Sequence, residues 1–270
     1  MRIGHAIFAV ALSCWSLSAA AEQFRETLRE GLVLQHVQIS ENKKMHLVRI
    51  SLRYFDVRVL SPLVSLLSET KQRTNSNPER SARGYYLQEY LLRFGAEVVS
   101  SGGYIESYSP PTSLGLVKSA GTTVSSAHNS WLTEAIFCSD EGKATIDFMK
   151  SDLSKSDFRD CLQAGPMLLR QGKIPADTPT RRSTGYLKLA GSVQEQVFLC
   201  LDSAQQVLLG VTDKIDLPTL IASLIRQDVG CSDAIRLTGQ DTAGLRTKNQ
   251  LFGNDDYRFP NAIGVVRRSN

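Results

Sequence analysis

The chain has 270 residues, of which 42% are hydrophobic, enough to bury a full core. Its formal charge of +4 is mild, and basic pairs such as Arg181-Arg182 and Arg267-Arg268 stand among acidic residues, so no nucleic-acid footprint is present. Beyond the N-terminal leader no apolar run reaches membrane-spanning length, which argues against stable membrane insertion.

Met1-Arg2 forms a short basic region, Ile3 to Leu17 is mostly apolar, and Ala19-Ala20-Ala21 gives an A-x-A cleavage site before Glu22. This predicts a signal peptide over residues 1–21 and a single domain over 22–270, in a periplasmic or secreted protein. Cys14 lacks a leucine three residues before it and makes a poor lipoprotein box. The four cysteines that remain, Cys138, Cys161, Cys200 and Cys231, permit two disulfides in three connectivities. Pairing sequence neighbours gives Cys138–Cys161 and Cys200–Cys231, with buried free thiols as the alternative. None has C-x-x-C spacing, and the few histidines are too scattered for a metal site.

In chain order, residues 22–31 are polar and read as a short helix. Leu32 to Ser40, Met45 to Leu52 and Phe55 to Leu60 alternate apolar and polar residues and read as antiparallel strands. Asn77-Pro78 opens a helix that runs to Phe94 and stops at Gly95. Ala96 to Ser100 reads as a buried strand that delivers Ser101-Gly102-Gly103-Tyr104 at its end. Residues 109–130, rich in Ser, Pro, Thr and Gly, read as a long surface loop. Ala135 to Cys138 and Ala144 to Phe148 flank Asp140-Glu141-Gly142-Lys143 as a hairpin. Ser156 to Gln163 reads as a helix and Tyr186 to Ala190 as a strand. Val197 to Leu201 and Val207 to Val211 are further strands. Asp216 is the N-cap of a helix over 216–229, with Pro218 in its first turn and Gly230 as its stop. Ala234 to Leu237 and the stretch ending at Val266 are the last strands. Strands in groups with helices inserted between them define an α+β protein built on largely antiparallel sheets.

Standard catalytic motifs are missing: there is no Walker loop, H-E-x-x-H, G-x-S-x-G or dinucleotide fingerprint. Two S-x-x-K matches, at Ser40 and Ser68, do not open apolar helices and have no S-D-N partner. Small polar loops remain at the strand ends, over 101–104, 165–166, 182–185 and 238–242. Arg182 is the natural anion ligand among them and Asp241 the natural carboxylate, a set suited to a phosphate or a polyhydroxylated ligand.

Taken together and in order, these loops resemble the phosphodiester glycosidase family. Its strand-end N-G-G-F-F corresponds to Ser101-Gly102-Gly103-Tyr104-Ile105, and its P-x-G-L to Ser113-Leu114-Gly115-Leu116. Its G-P-x-L element is matched by Gly165-Pro166-Met167-Leu168 with Gly172-Lys173, and its R-T element by Arg182-Ser183. Ala234 to Thr242 takes the place of A-L-N-L-D-G-G-G-S, and Pro260-Asn261-Ala262-Ile263-Gly264-Val265 matches P-N-A-I-G-V. The resemblance implies a hydrolase of sugar phosphodiesters, and the residues themselves offer no cofactor fingerprint and no metal-ligand set. It places Ser101, Gly102, Gly103, Gly165, Arg182, Gly239, Thr242 and Asn261 around the substrate. The family's aspartate is Thr238 here, its motif asparagine is Ser101, and Gln240 and Asp241 replace glycines. Asp241 is then the carboxylate available beside Thr238 at the reacting centre. Two functions follow: an active sugar-phosphodiester hydrolase, or a catalytically silent relative that binds an anionic glycan or sugar phosphate in the same cleft.

Overall fold

The computed structural model describes residues 24–65, 84–149, 157–176 and 179–268. The expected leader, Ser68 and the start of the helix expected from Pro78 lie outside the described residues. Alternating residues build β1 (Phe24–Arg29), β2 (Leu32–Ser40), β3 (Lys43–Ile50) and β4 (Phe55–Leu60). After α1 (Leu87–Arg93) come β5 (Val98–Ser101), β6 (Ile105–Tyr108), β7 (Pro111–Ser113), β8 (Val117–Ser119) and β9 (Thr122–Ser125). The middle of the chain supplies β10 (Ala135–Asp140), β11 (Lys143–Phe148), β12 (Asp160–Ala164), β13 (Met167–Leu169), the single turn α2 (Pro179–Arg182) and α3 (Thr184–Ala190). The last third supplies β14 (Gln196–Asp202), β15 (Val207–Thr212), α4 (Leu217–Ile225), β16 (Cys231–Gly239), β17 (Gly244–Thr247), β18 (Leu251–Gly253) and β19 (Ala262–Arg267).

These strands form a seven-stranded sheet ordered β1-β2-β3-β15-β14-β16-β13 and two five-stranded sheets, β11-β10-β12-β8-β9 and β18-β17-β5-β19-β4. β6 and β7 pair as a separate hairpin. Strands that put every second residue inward give each sheet one apolar face, and the three inner faces share one core. Leu34, Val48, Leu199, Ile235 and Leu237 meet Val57, Val98 and Ile263 from one small sheet and Phe137 and Leu162 from the other. On the far side of the large sheet, α4 lays Leu217, Leu220, Ile221 and Leu224 against Met45, Leu47, Phe198 and Leu208. Each such side chain contributes about 1.5–3 kcal/mol through burial. Asp216 caps α4 as the sequence indicates, its carboxylate accepting from Thr219 N at 2.8 Å. The helix stops at Ile225, short of Val229, because Arg226 leaves helical geometry to bind Asp228 and the Gln38 carbonyl. Ion pairs tie the sheets together: Arg58 on β4 reaches the fully buried Asp160 on β12 at 2.5 Å.

Several local expectations change. Residues 24–29 form an edge strand rather than a helix, since pairing with β2 satisfies a backbone that has no apolar helical stripe to bury. The Ser/Thr-rich region after Tyr108 is folded into β7, β8 and β9, where threonines suit pleated positions. Residues 160–164 are a wholly buried strand, not a helix. Thr184–Ala190 is helical, not extended, because Ser183 caps it by accepting from Tyr186 N at 3.1 Å.

Both neighbouring cysteine pairs are bridged, Cys138–Cys161 between adjacent strands and Cys200–Cys231 across β14 and β16. The second closes a loop with a sequence separation of 31, which the chain-entropy relation values at about 3–4 kcal/mol. Replacing Cys200 and Cys231 together with alanine should lower the unfolding free energy by about 2–4 kcal/mol, read by urea denaturation.

A second consequence concerns pH. His36 and His46 face each other across β2 and β3 with their Nδ1 atoms 2.6 Å apart, so one must donate and the other accept. The His46 ring stacks on Phe252 of β18 at 4.3 Å between centroids. Burial, then the His36 charge, pulls His46 down to about 4, with Asp213 opposing and Lys44 adding to the shift. Burial also lowers His36, opposed by Glu26 and reinforced by Lys44. Both folded values lie below the unfolded value of about 6.5, so the unfolded chain binds more protons in this window. The pair's contribution is therefore complete above about pH 6.5 and is lost as pH falls towards 4. Chemical denaturation across pH 7 to 4 should show falling stability, and His46→Phe should flatten that slope.

Candidate functional site

The small polar loops converge where β5, β13 and β16 end. β5 is buried throughout and delivers Ser101, whose hydroxyl accepts from Gly244 N at 3.2 Å. Asn261, at the entry to β19, accepts from Gly103 N at 2.8 Å and donates through its amide nitrogen to the Ser113 hydroxyl at 2.8 Å. The fit requires glycine at 102, because a Cβ there would stand 1.8 Å from the Asn261 amide oxygen. Asn261 and Gly102 thus lock the turn rather than leaving its amides open.

Next along the chain, Tyr104 donates its hydroxyl to the Gly165 carbonyl at 2.8 Å and accepts from Nη1 of Arg236. Burial raises the Tyr104 phenol, while Arg236 pulls it back down, so the group carries its proton and can serve as both donor and acceptor. Arg236 lies in the middle of β16, 2% exposed, with its Nε donating to Gln196 Oε1 at 2.6 Å. The Gln196 amide is held in that orientation because its nitrogen donates to the Ile215 carbonyl. Gly239 leaves room for the guanidinium: a Cβ there would meet Nη2 at 2.0 Å.

Thr238 closes the cluster. Its hydroxyl lies 2.7 Å from that of Thr242, which donates to the Gly239 carbonyl. With the Thr242 proton committed, Thr238 donates to Thr242, and both side chains are buried. The hydrogen bonds thus form neighbouring groups along the chain: Asn261 with Gly103 and Ser113, Tyr104 with Gly165 and Arg236, and Thr238 with Thr242 and Gly239.

Two residues singled out in the sequence lie elsewhere. Arg182 is exposed at the end of α2, and its neighbour Arg181 is the one that turns inward, donating to the Met167 carbonyl and the Tyr186 hydroxyl. Asp241 is exposed and lines a cavity of about 370 Å³ with Glu195, Gln240, Asp255 and Asp256, and no basic residue lines it. Its charge reaches Tyr108 on β6, whose phenol is raised first by burial, then by Tyr257 and Asp241. Among the described residues no cluster of His, Cys, Asp and Glu could hold a metal ion.

Sequence reading missed Arg236, Tyr104, Gln196 and Glu134. Glu134 accepts from Met167 N at 3.3 Å beside Tyr186. Arg236 carried a visible signal, a charge between Ile235 and Leu237 in an otherwise apolar strand. Glu134 carried none, being half-buried in an irregular turn.

Comparison with known proteins agrees with this frame. The chain resembles in fold the catalytic domain of zebrafish N-acetylglucosamine-1-phosphodiester alpha-N-acetylglucosaminidase, auto-inhibited by its pro-peptide. The TM-score is 0.63 at 14% identity over 92% of this chain and 88% of that one. A hypothetical protein from Synechocystis gives a TM-score of 0.63 at 14% identity over 92% and 64% of the two chains. A Burkholderia pseudomallei protein described as exported gives 0.56 at 9% identity over 83% and 74%. The curated proteins contain no match. The family model for phosphodiester glycosidases matches residues 94–266, which hold β5, β13, β16, Asn261 and every loop described above. The chain belongs to the phosphodiester glycosidase family.

Proposed function

We propose that the chain acts outside the cytoplasm, in the periplasm or as a secreted protein, and binds a sugar phosphodiester or a phosphorylated glycan without hydrolysing it efficiently. The ligand class follows from family membership, and the leader together with two disulfides supports the compartment. One observation carries the silent reading: the position of the family's aspartate is Thr238, its hydroxyl committed to Thr242.

Hydrolysis at an anomeric carbon passes through an oxocarbenium-like state that needs a negative charge beside it. A threonine hydroxyl cannot supply that charge. Asp241, three residues on, sits exposed among other acids, where a phosphate-bearing ligand is repelled. The hydrolytic reading has one observation in its favour, the reach of the Asp241 charge to Tyr108 on the strand that follows the glycine turn.

A chromogenic N-acetylglucosamine 1-phosphodiester separates the two. Purified protein should turn it over no faster than buffer and bind it in a calorimetric titration. Asp241→Asn should change the Kd by no more than about twofold, the effect of an exposed side chain away from the ligand. Turnover by the wild type that Asp241→Asn abolishes would establish the hydrolase instead.

A further inference from the structure

We infer that Arg236 is the anchor of an anion-binding subsite that receives the phosphoryl group of the ligand. The inference rests on the sugar-phosphate reading above and assigns a specific group to it. It starts from charge. Arg49 has Asp202, Arg58 has Asp160, Arg170 has Asp147 and Asp233, Arg226 has Asp228, and Arg246 has Asp255, each within 4 Å. All of these arginine side chains keep 24% or more of their surface exposed. Arg236, at 2% exposure, has no carboxylate at that distance among the described residues. A buried cation without a counter-ion is unfavourable, and a bound anion is what would neutralise it.

The guanidinium is also preorganised. Nε is fixed by Gln196, Nη1 by the Tyr104 hydroxyl, and the group lies 5.4 Å from the centroid of the Tyr104 ring. Nη2 finds no acceptor among the described residues. Nor is it one of the nitrogens sealed from water without an acceptor, which include Gln194 Nε2 and Arg246 Nε. Tyr104, which holds Nη1, is itself only partly buried. An oxyanion accepting from Nη2 would complete a fork whose other donors are already aimed. The purely structural reading, in which Arg236 only ties β14 and β16 to Tyr104, accounts for Nε and Nη1 but leaves the charge and Nη2 without a role.

Calorimetry and thermal unfolding of the mature chain test this with three probes: N-acetylglucosamine 1-phosphate, N-acetylglucosamine and inorganic phosphate. The wild type should bind the sugar phosphate at least tenfold more tightly than the neutral sugar, and inorganic phosphate should raise its Tm. Arg236→Gln should erase both the preference and the rise, whatever its own Tm without phosphate. A wild-type preference that survives in Arg236→Gln overturns the anchor and leaves the sugar-phosphate reading standing. If neither sugar binds, that reading falls, and inorganic phosphate decides the subsite alone: a Tm rise lost in Arg236→Gln supports it, and no rise overturns it. If Arg236→Gln does not fold, Arg236→Lys decides, a phosphate response weakened several-fold supporting the anchor and an unchanged one overturning it.

Discussion

The register of β16 is the constraint on which the site depends. The strand is held between β14 and β13, with Met167 opposite Ile235 and Phe198 opposite Arg236. Its inner residues Ile235 and Leu237 are locked in the core shared by the three sheets. Between Arg236 and Thr238 the pairing with β14 shifts by one residue, a bulge that bends the strand end. A slip of one position would carry the guanidinium into that core and Ile235 and Leu237 out of it. The packing of some of the most apolar residues in the protein thus sets the direction of an arginine that is only 2% exposed.

Around this strand, some residues follow the family's motifs and others depart from them. The glycine turn, the asparagine that holds it and the Gly165-Pro166 segment all lie within the stretch that the family model matches. What differs is the sign of the local charge. The resemblance puts an asparagine at position 236 and an aspartate at 238, and this chain has arginine and threonine there. Set against that motif, the strand carries a positive charge at 236 and none at 238. Fold and reaction are set by different residues, even when those residues are two positions apart in one strand.

Much of the scaffold was legible in the sequence. Strands with clean alternation, such as Phe55–Leu60, and the capped helix after Asp216 follow from local rules that packing did not override. Polar strands such as Phe24–Arg29 were not legible, because their stability comes from partners distant in the chain. In the candidate site the glycine loops read as strand ends, while Asn261 stood out only through the family's P-N-A-I-G-V motif. Arg182 reads as an anion ligand because it opens the 182–185 loop and matches the family's R-T element, whereas the structure turns its neighbour Arg181 to the Met167 carbonyl. Asp241 attracted attention as a carboxylate near the motif, but the one-turn helix over Gln240–Thr242 carries it to the surface. Arg236 needed knowledge of what surrounds it, since a charge in an apolar strand acquires meaning once its partners, or their lack, are known.

The contact between Arg236 Nη2 and Gly239 has an evolutionary consequence. The glycine is required here by the arginine and also by the Glu195 carbonyl, 2.6 Å from where a Cβ would stand. Any descendant that trims the arginine removes one of these two obstacles, and any that fills 239 must displace the guanidinium and shift the strand beside it. The two sites are thus expected to drift as a linked pair, and the order of their changes along a lineage would show whether the arginine arrived before or after the aspartate was lost.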